Sequence, residues 1–259
     1  TLEELAPGRT MVGIGTGDSA VDNLGLRPAN HAQLKHYIQA IRELLDTGHT
    51  VYNGAPCTLN WYKGGRIPLY IAASGPKTLQ LAGEIADGVV INTGLLPEIV
   101  RDSIRQVHIG CERAGRDPSA VDMWWLPLTN VRADRALAID EIAMTLASAG
   151  SHLSRFTTEG KHIPAHLMDK IVELGRSYHA DEHDKPDSAN REVAKRLGLL
   201  DYLADRFAIA GSPKDCIDKL GAAIDAGARQ FWMSIHFDDK ARFMREWARD
   251  VMPAFTQSR

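Results

Sequence analysis

Three stretches of this 259-residue chain place ligand-binding or reactive groups where chemistry could use them. In Tyr70–Leu79 (YIAASGPKTL), an apolar run passes through small residues into Pro76, which reads as the first turn of a helix, where a missing N–H costs nothing. The small side chains of Ala72, Ala73, Ser74 and Gly75 let a ligand approach the main chain. The N–H groups of Gly75, Lys77 and Thr78 at the positive helix end would favour a phosphate, with Lys77 placed to assist. An ordinary tight strand-to-helix turn accounts for the same residues, because a glycine between strand and helix is common. In the second stretch, Gly13–Asp18 (GIGTGD), Asp18 stands where a turn or N-cap aspartate would. The GxGxG of Gly13, Gly15 and Gly17 invites a dinucleotide reading, but no helix begins at once and no acidic residue stands about 20 positions on. The third stretch ends in Asn92 and Thr93, after the strand-like GVVIN, and reads either as site lining or as capping before Pro97.

Other reactive side chains point elsewhere. His179, Asp181, Glu182, His183 and Asp184 carry metal-capable groups in a spacing that fits no closed motif, and read as a solvated loop. His236 follows the last strand and reads as a surface histidine. Trp124, Trp125 and Trp232 fall in strand segments and read as core. Cys57, Cys111 and Cys216 are odd in number and widely spaced, without a CxxC, so they read as packing residues of a reducing compartment, not as a disulfide framework or a zinc site. No metal is expected.

Composition sets the frame for these groups. With 44% apolar and 24% charged residues and a net charge of −3, the chain is an ordinary globular sequence that can bury a sizeable core. Charge gives no footprint for nucleic acid, and no run approaches the roughly 18 apolar residues a membrane span needs. The expected location is cytoplasmic and the expected partner a small-molecule substrate.

Strand-like runs at Thr10–Gly15, Ile67–Ala73, Gly88–Asn92, Met123–Val131 and Gln230–Ile235 alternate with helical patterns at Ala32–Thr47, Pro76–Ala86, Pro97–Ala114, Pro213–Ala226 and Asp239–Met252. That alternation implies parallel βαβ units. Asn53-Gly54 marks a hairpin within Thr50–Tyr62, residues 132–203 read as a helical insertion, and Tyr178–Asn190 reads as a solvated, poorly ordered stretch. Five strong strands fit either an open doubly wound sheet or the C-terminal part of an eight-stranded barrel.

The phrases LAPGRTMVGIGTGDSAV (Leu5–Val21), PLYIAASGPKTLQLAGEIADGVVINTG (Pro68–Gly94) and FAIAGSPKDCIDKLGAAIDAGARQFWMSI (Phe207–Ile235) resemble the bacterial-luciferase-like family, in particular its branch using the deazaflavin F420. The resemblance spans nearly the whole chain and implies a single α/β domain of TIM (β/α)8 barrel type, N-terminally incomplete in this chain because the first three βα units of that family have no counterpart here. It implies a cofactor phosphate at Ala72–Thr78, a reactive ring beside Thr16, Gly17 and Asp18, Asp18 as proton donor or substrate contact, and Thr93 among the cofactor-binding residues. Phosphorylated-sugar binding is not implied, since the matching positions near Asp205 and Ala241 are not basic. The expected function is an F420- or FMN-dependent oxidoreductase, with hydride transfer for F420 or monooxygenation for FMN, acting as a homodimer. The alternative is a non-catalytic flavin- or phosphate-binding protein, or a truncated barrel acting through dimerisation.

Overall fold

The computed structural model describes residues 1–62, 66–183, 185 and 187–256. Short apolar runs form β1 (Val12–Ile14), β2 (His49–Tyr52), β3 (Ala55–Thr58), β4 (Leu69–Ala73), β5 (Gly88–Ile91), β6 (Asp122–Trp125), β7 (Leu128–Val131), β8 (Ala208–Gly211) and β9 (Gln230–Phe231). Helices of the crossover connections make the pairing parallel, and the main sheet runs in the order β1-β4-β5-β6-β9. Each of the five expected strands contributes at least part of its length to it. The hairpin forms at the expected dipeptide, with Asn53 (φ 52°) and Gly54 (φ 80°) both left-handed, as a two-residue hairpin turn of the mirror-image type requires.

The expected strand Met123–Val131 is broken in two. Pro127 has no N–H to give to a ladder, and the chain on its two sides serves different sheets: β6 pairs with β9, whereas β7 pairs in parallel with β8 through Leu128↔Ala208 to Val131↔Gly211. β9 is correspondingly short, and Ser234 returns only as a single bridge to Leu128. Trp232, next to this short edge strand, is 52% exposed, which corrects its reading as core, while Trp125 is buried at 1%.

Contacts divide the chain into two units, residues 1–90 with 105–123, and residues 91–104 with 124–259. The first holds α1 (Leu2–Leu5), α2 (Ser19–Asn23), α3 (His31–Thr47) and α4 (Pro76–Ile85), with part of α5 (Pro97–Arg113). Leu34 and Ile38 of α3, Leu79 and Ala82 of α4, and Leu69, Ile71 and Val89 of the strands are among its buried apolar residues. Asp87, just before β5, accepts the Leu69 amide at 2.8 Å and pairs with Arg42 and Arg66. Burial alone would push this carboxyl up, but the Leu69 amide and the two guanidinium groups outweigh it and hold Asp87 below the usual carboxylate range. A carboxylate depressed in the folded state contributes stability above its unfolded value and loses it as pH falls through the folded one. Asp87→Ala is therefore expected to cost about 2 kcal/mol at neutral pH and to flatten the acid limb of stability, which urea melts across pH check.

The second unit is mostly helical: α6 (Arg135–Glu141), α7 (Ala143–Ser151), α8 (Met168–Arg176), α9 (Ala189–Arg196), α10 (Leu200–Phe207), α11 (Pro213–Asp225), α12 (Lys240–Glu246) and α13 (Pro253–Thr256), with one π-helical turn at Trp247–Val251. α7 is small and apolar along its length and nearly all buried, so it forms the axis around which Ile171, Leu174, Leu199, Leu203 and Phe207 pack. The expected disorder of Tyr178–Asn190 is corrected among its described residues. Asn190 is 1% exposed, its side-chain Oδ1 accepts the His179 amide and its Nδ2 donates to His179 O, so two hydrogen bonds close a stretch that composition alone marks as loop. Asp184 and Pro186 lie outside the described residues.

Candidate functional site

In the first unit, β1 and β4 are parallel neighbours in the register Ile14↔Ile71, so the loops that leave their carboxyl ends start side by side. A Cβ placed on Gly15 would lie 3.6 Å from the Cβ of Ala72. The first loop turns on Gly17, whose φ of +99° suits glycine and whose Cβ would meet Val21 Cγ2 at 2.5 Å. Thr16 O accepts the Ala29 amide at 2.7 Å. Asp18 occupies the N-cap position of α2, and its carbonyl accepts the Val21 and Asp22 amides, but its side chain makes no capping bond to the helix. The capping explanation for this aspartate therefore fails on its carboxylate.

The second loop runs from Ala73, buried at 2%, through Ser74 to Gly75, the N-cap of α4, with Pro76 opening the helix. Gly75 has φ −165° and ψ 165°, extended backbone open to any residue, so what glycine contributes there is the lack of a side chain. Leu79 is the first residue whose amide donates back to the turn, on Gly75 O, which leaves the amides of Lys77 and Thr78 without an intrahelical acceptor. Sequence reading missed His31, the first residue of α3. Its Nε2 lies 3.0 Å from Thr78 Oγ1, and burial together with the Lys77 ammonium holds its imidazole below the ordinary histidine value. No local pattern could have revealed a pairing across 47 positions. Two helix amino termini, one hydroxyl, an ammonium and an imidazole thus meet, a donor set that fits a phosphate.

Thr93, expected at the same site, lies in the second unit and is buried at 8%, with Oγ1 and Ser103 Oγ 2.7 Å apart. Its carbonyl accepts Nε of Arg206, and the Arg206 carbonyl accepts the Leu95 amide at 2.6 Å. Gly94, at φ +124°, leaves no room for a side chain: a Cβ would stand 2.7 Å from Arg206 Cγ. Arg206 was not singled out by its sequence context. Among the described residues no group of three or more His, Cys, Asp and Glu side chains could hold a metal, and no helix is long and apolar enough to cross a membrane. Cys111 and Cys216 are buried and Cys57 half-buried; burial pushes the Cys216 thiol up to about 12, far from a nucleophile's range. His236 meets the Ser234 hydroxyl.

The model of the luciferase-like monooxygenase family matches residues 1–230. The chain belongs to this family. As a luciferase-like protein it is 30% identical to the 5,10-methylenetetrahydromethanopterin reductase of Archaeoglobus fulgidus over 89% of this chain and 68% of that one. It is 26% identical to the F420-dependent glucose-6-phosphate dehydrogenase of Nakamurella multipartita, over 98% and 70%. An F420-dependent secondary alcohol dehydrogenase, solved with an F420–acetone adduct, superposes with a TM-score of 0.71 at 20% identity, over 98% of this chain and 72% of that one. The fold of this luciferase-like chain is therefore α/β of the TIM-barrel type, as the parallel βαβ alternation implied.

Proposed function

We propose that the protein is an F420-dependent oxidoreductase that holds the cofactor phosphate on the α4 amino terminus. The observation that carries this reading is the meeting of the Lys77 and Thr78 amides, the Thr78 hydroxyl, Lys77 and His31 in one loop cluster. Family membership and the F420-dependent relatives support it. Ala72, Ala73, Ser74 and Gly75 form the small-residue approach to those amides, Thr16 and Gly17 line the neighbouring loop, and Asp18 is the proton donor or acceptor. When bound, the deazaflavin supplies hydride chemistry; the chain supplies orientation, a phosphate cradle and a proton-handling carboxylate. The same reading makes the enzyme a cytoplasmic homodimer with a small-molecule substrate, and light scattering on purified protein tests the dimer.

Fluorescence titration with F420, and with FMN in parallel, tests the cofactor. Gly75→Val should weaken F420 binding by about tenfold or more by obstructing the approach to the α4 amides, at unchanged melting temperature, since valine accepts the extended backbone of that position. Affinity equal to the wild type would refute the phosphate assignment, and tighter binding of FMN than of F420 would reassign the cofactor.

His31 adds a pH dependence. Its proton is disfavoured by burial and by Lys77 and would be favoured by a bound anion, so anion binding takes up a proton and affinity rises as pH falls. Sulfate keeps its charge between about pH 8 and about pH 5, so its affinity should rise over that range in the wild type and stay flat in His31→Gln, as read by calorimetry.

A further inference from the structure

The loop that joins β1 to α3 has both its ends at the amino terminus of α4, all within the first unit. At one end a Cβ on Gly15 would lie 3.6 Å from that of Ala72; at the other, His31 Nε2 stands 3.0 Å from Thr78 Oγ1. The Ala29 amide donates to Thr16 O at 2.7 Å and closes the neck, so the segment is an Ω-loop. Beyond it, the capping box of Asn30 and Gln33 fixes the start of α3.

Within the loop the chain makes a small body of its own. Asp18 O accepts the Val21 and Asp22 amides, and α2 ends in a Schellman motif: Gly25, at φ +66°, donates to Asp22 O at 2.9 Å and Leu26 donates to Val21 O at 3.0 Å. Such an ending ordinarily packs its apolar residue against the helix, yet Leu26 is 61% exposed and Leu24 74%. All of residues 15–30 are described and none is buried. A segment that places no side chain in the core is at the low end of local stability and can swing on its neck, where Gly17, at φ +99°, supplies the conformational freedom of a hinge.

We infer that residues 16–29 are a lid that closes over a cofactor held at the α4 amino terminus, turning Leu24 and Leu26 onto its apolar surface. This rests on the cofactor reading above and adds a closing step to it. The occupant follows from position. Both ends of the loop flank the α4 cradle, so its arc reaches what the cradle holds, and two leucines left in water gain by removing the apolar area of a bound ring from water together with their own. Closure also excludes water from the charges of the cradle and slows departure of the ligand.

The test uses the full chain with F420. Hydrogen exchange read by mass spectrometry should show the amides of residues 19–26 exchanging about tenfold or more slowly once F420 is bound. Leu24→Ser combined with Leu26→Ser should release F420 about tenfold faster in stopped-flow. Both side chains are exposed, so the melting temperature of this double variant should stay within about 2 °C of wild type. Its affinity for sulfate, which engages the cradle without offering apolar surface, should stay within about twofold. Bound F420 with unchanged exchange at residues 19–26, or with wild-type release from the double variant, overturns the lid while sparing the cofactor. Faster release accompanied by lost sulfate affinity or a lowered melting temperature overturns it too, since the leucines would then act through the structure of the cradle. Protection that appears without F420 as protein concentration is raised assigns the leucines to a second copy of the chain and likewise overturns the lid. Failure to bind either F420 or FMN sinks the cofactor reading and this inference with it.

Discussion

Gly110→Val is expected to lower the melting temperature by roughly 10 °C. Gly110 lies inside α5, where alanine would ordinarily be preferred by about 0.5–1 kcal/mol. A Cβ at this position would stand 2.7 Å from the carbonyl carbon of Gln80 on α4 and closer still to its oxygen. The reciprocal contact is as tight, since a Cβ on Gly83 would lie 2.9 Å from the Cys111 amide nitrogen and closer to Val107 O. The obstructing atoms are main chain, so α4 and α5 would have to separate, and α4 is the helix whose amino terminus forms the proposed phosphate cradle. A cost of about 4 kcal/mol or more follows, a large share of a typical domain's stability and a drop of roughly 10 °C in melting temperature. Gly221→Ala provides the control: it too sits in a helix, α11, but nothing lies within 4 Å of its Cβ position. That substitution should stabilise by about 0.5 kcal/mol. Melting of Gly110→Val within about 2 °C of wild type would show that the helices do not meet at these glycines.

Asp18→Asn should reduce turnover by about 10²-fold while leaving F420 affinity within about twofold. The two side chains have nearly the same shape, and the Asp18 carbonyl, which accepts the Val21 and Asp22 amides, is untouched, so the short helix α2 persists. The carboxylate makes no capping bond to α2, so its replacement does not act through that cap. Its loss therefore reports on proton handling, in contrast to Gly75→Val, which acts on affinity. Measuring kcat and the F420 dissociation constant for both variants separates the two, and undiminished turnover in Asp18→Asn would refute the proton role.

Much of the fold was legible because its signals are local. The apolar runs of β4 and β5, the Pro76 and Pro97 helix starts and the Asn53-Gly54 turn each follow from side chains within a few positions, and each forms where expected. The Tyr70–Leu79 loop was legible for the same reason, since strand, small-residue turn and helix start are contiguous. Local signals failed where a residue's role is set by what lies across space. Met123–Val131 reads as one strand, yet β6 and β7 belong to different sheets because their partners, β9 and β8, come from separate parts of the chain. Tyr178–Asn190 is polar enough to read as loop, but Asn190 is buried by satisfying both main-chain groups of His179.

The sequence by itself determined the parallel βαβ alternation, the family and the strand-turn-helix loop of Tyr70–Leu79, because hydrophobic period and helix capping depend on neighbours along the chain. Only the tertiary structure decided that His31 joins Thr78 and Lys77, that Thr93 turns its hydroxyl to Ser103, and that a single buried arginine, Arg206, braces Thr93, Lys161 and His162. A buried guanidinium can remain in an apolar interior only where main-chain carbonyls converge to accept its protons, and that convergence exists only after segments separated by 113 and 45 positions have been packed together.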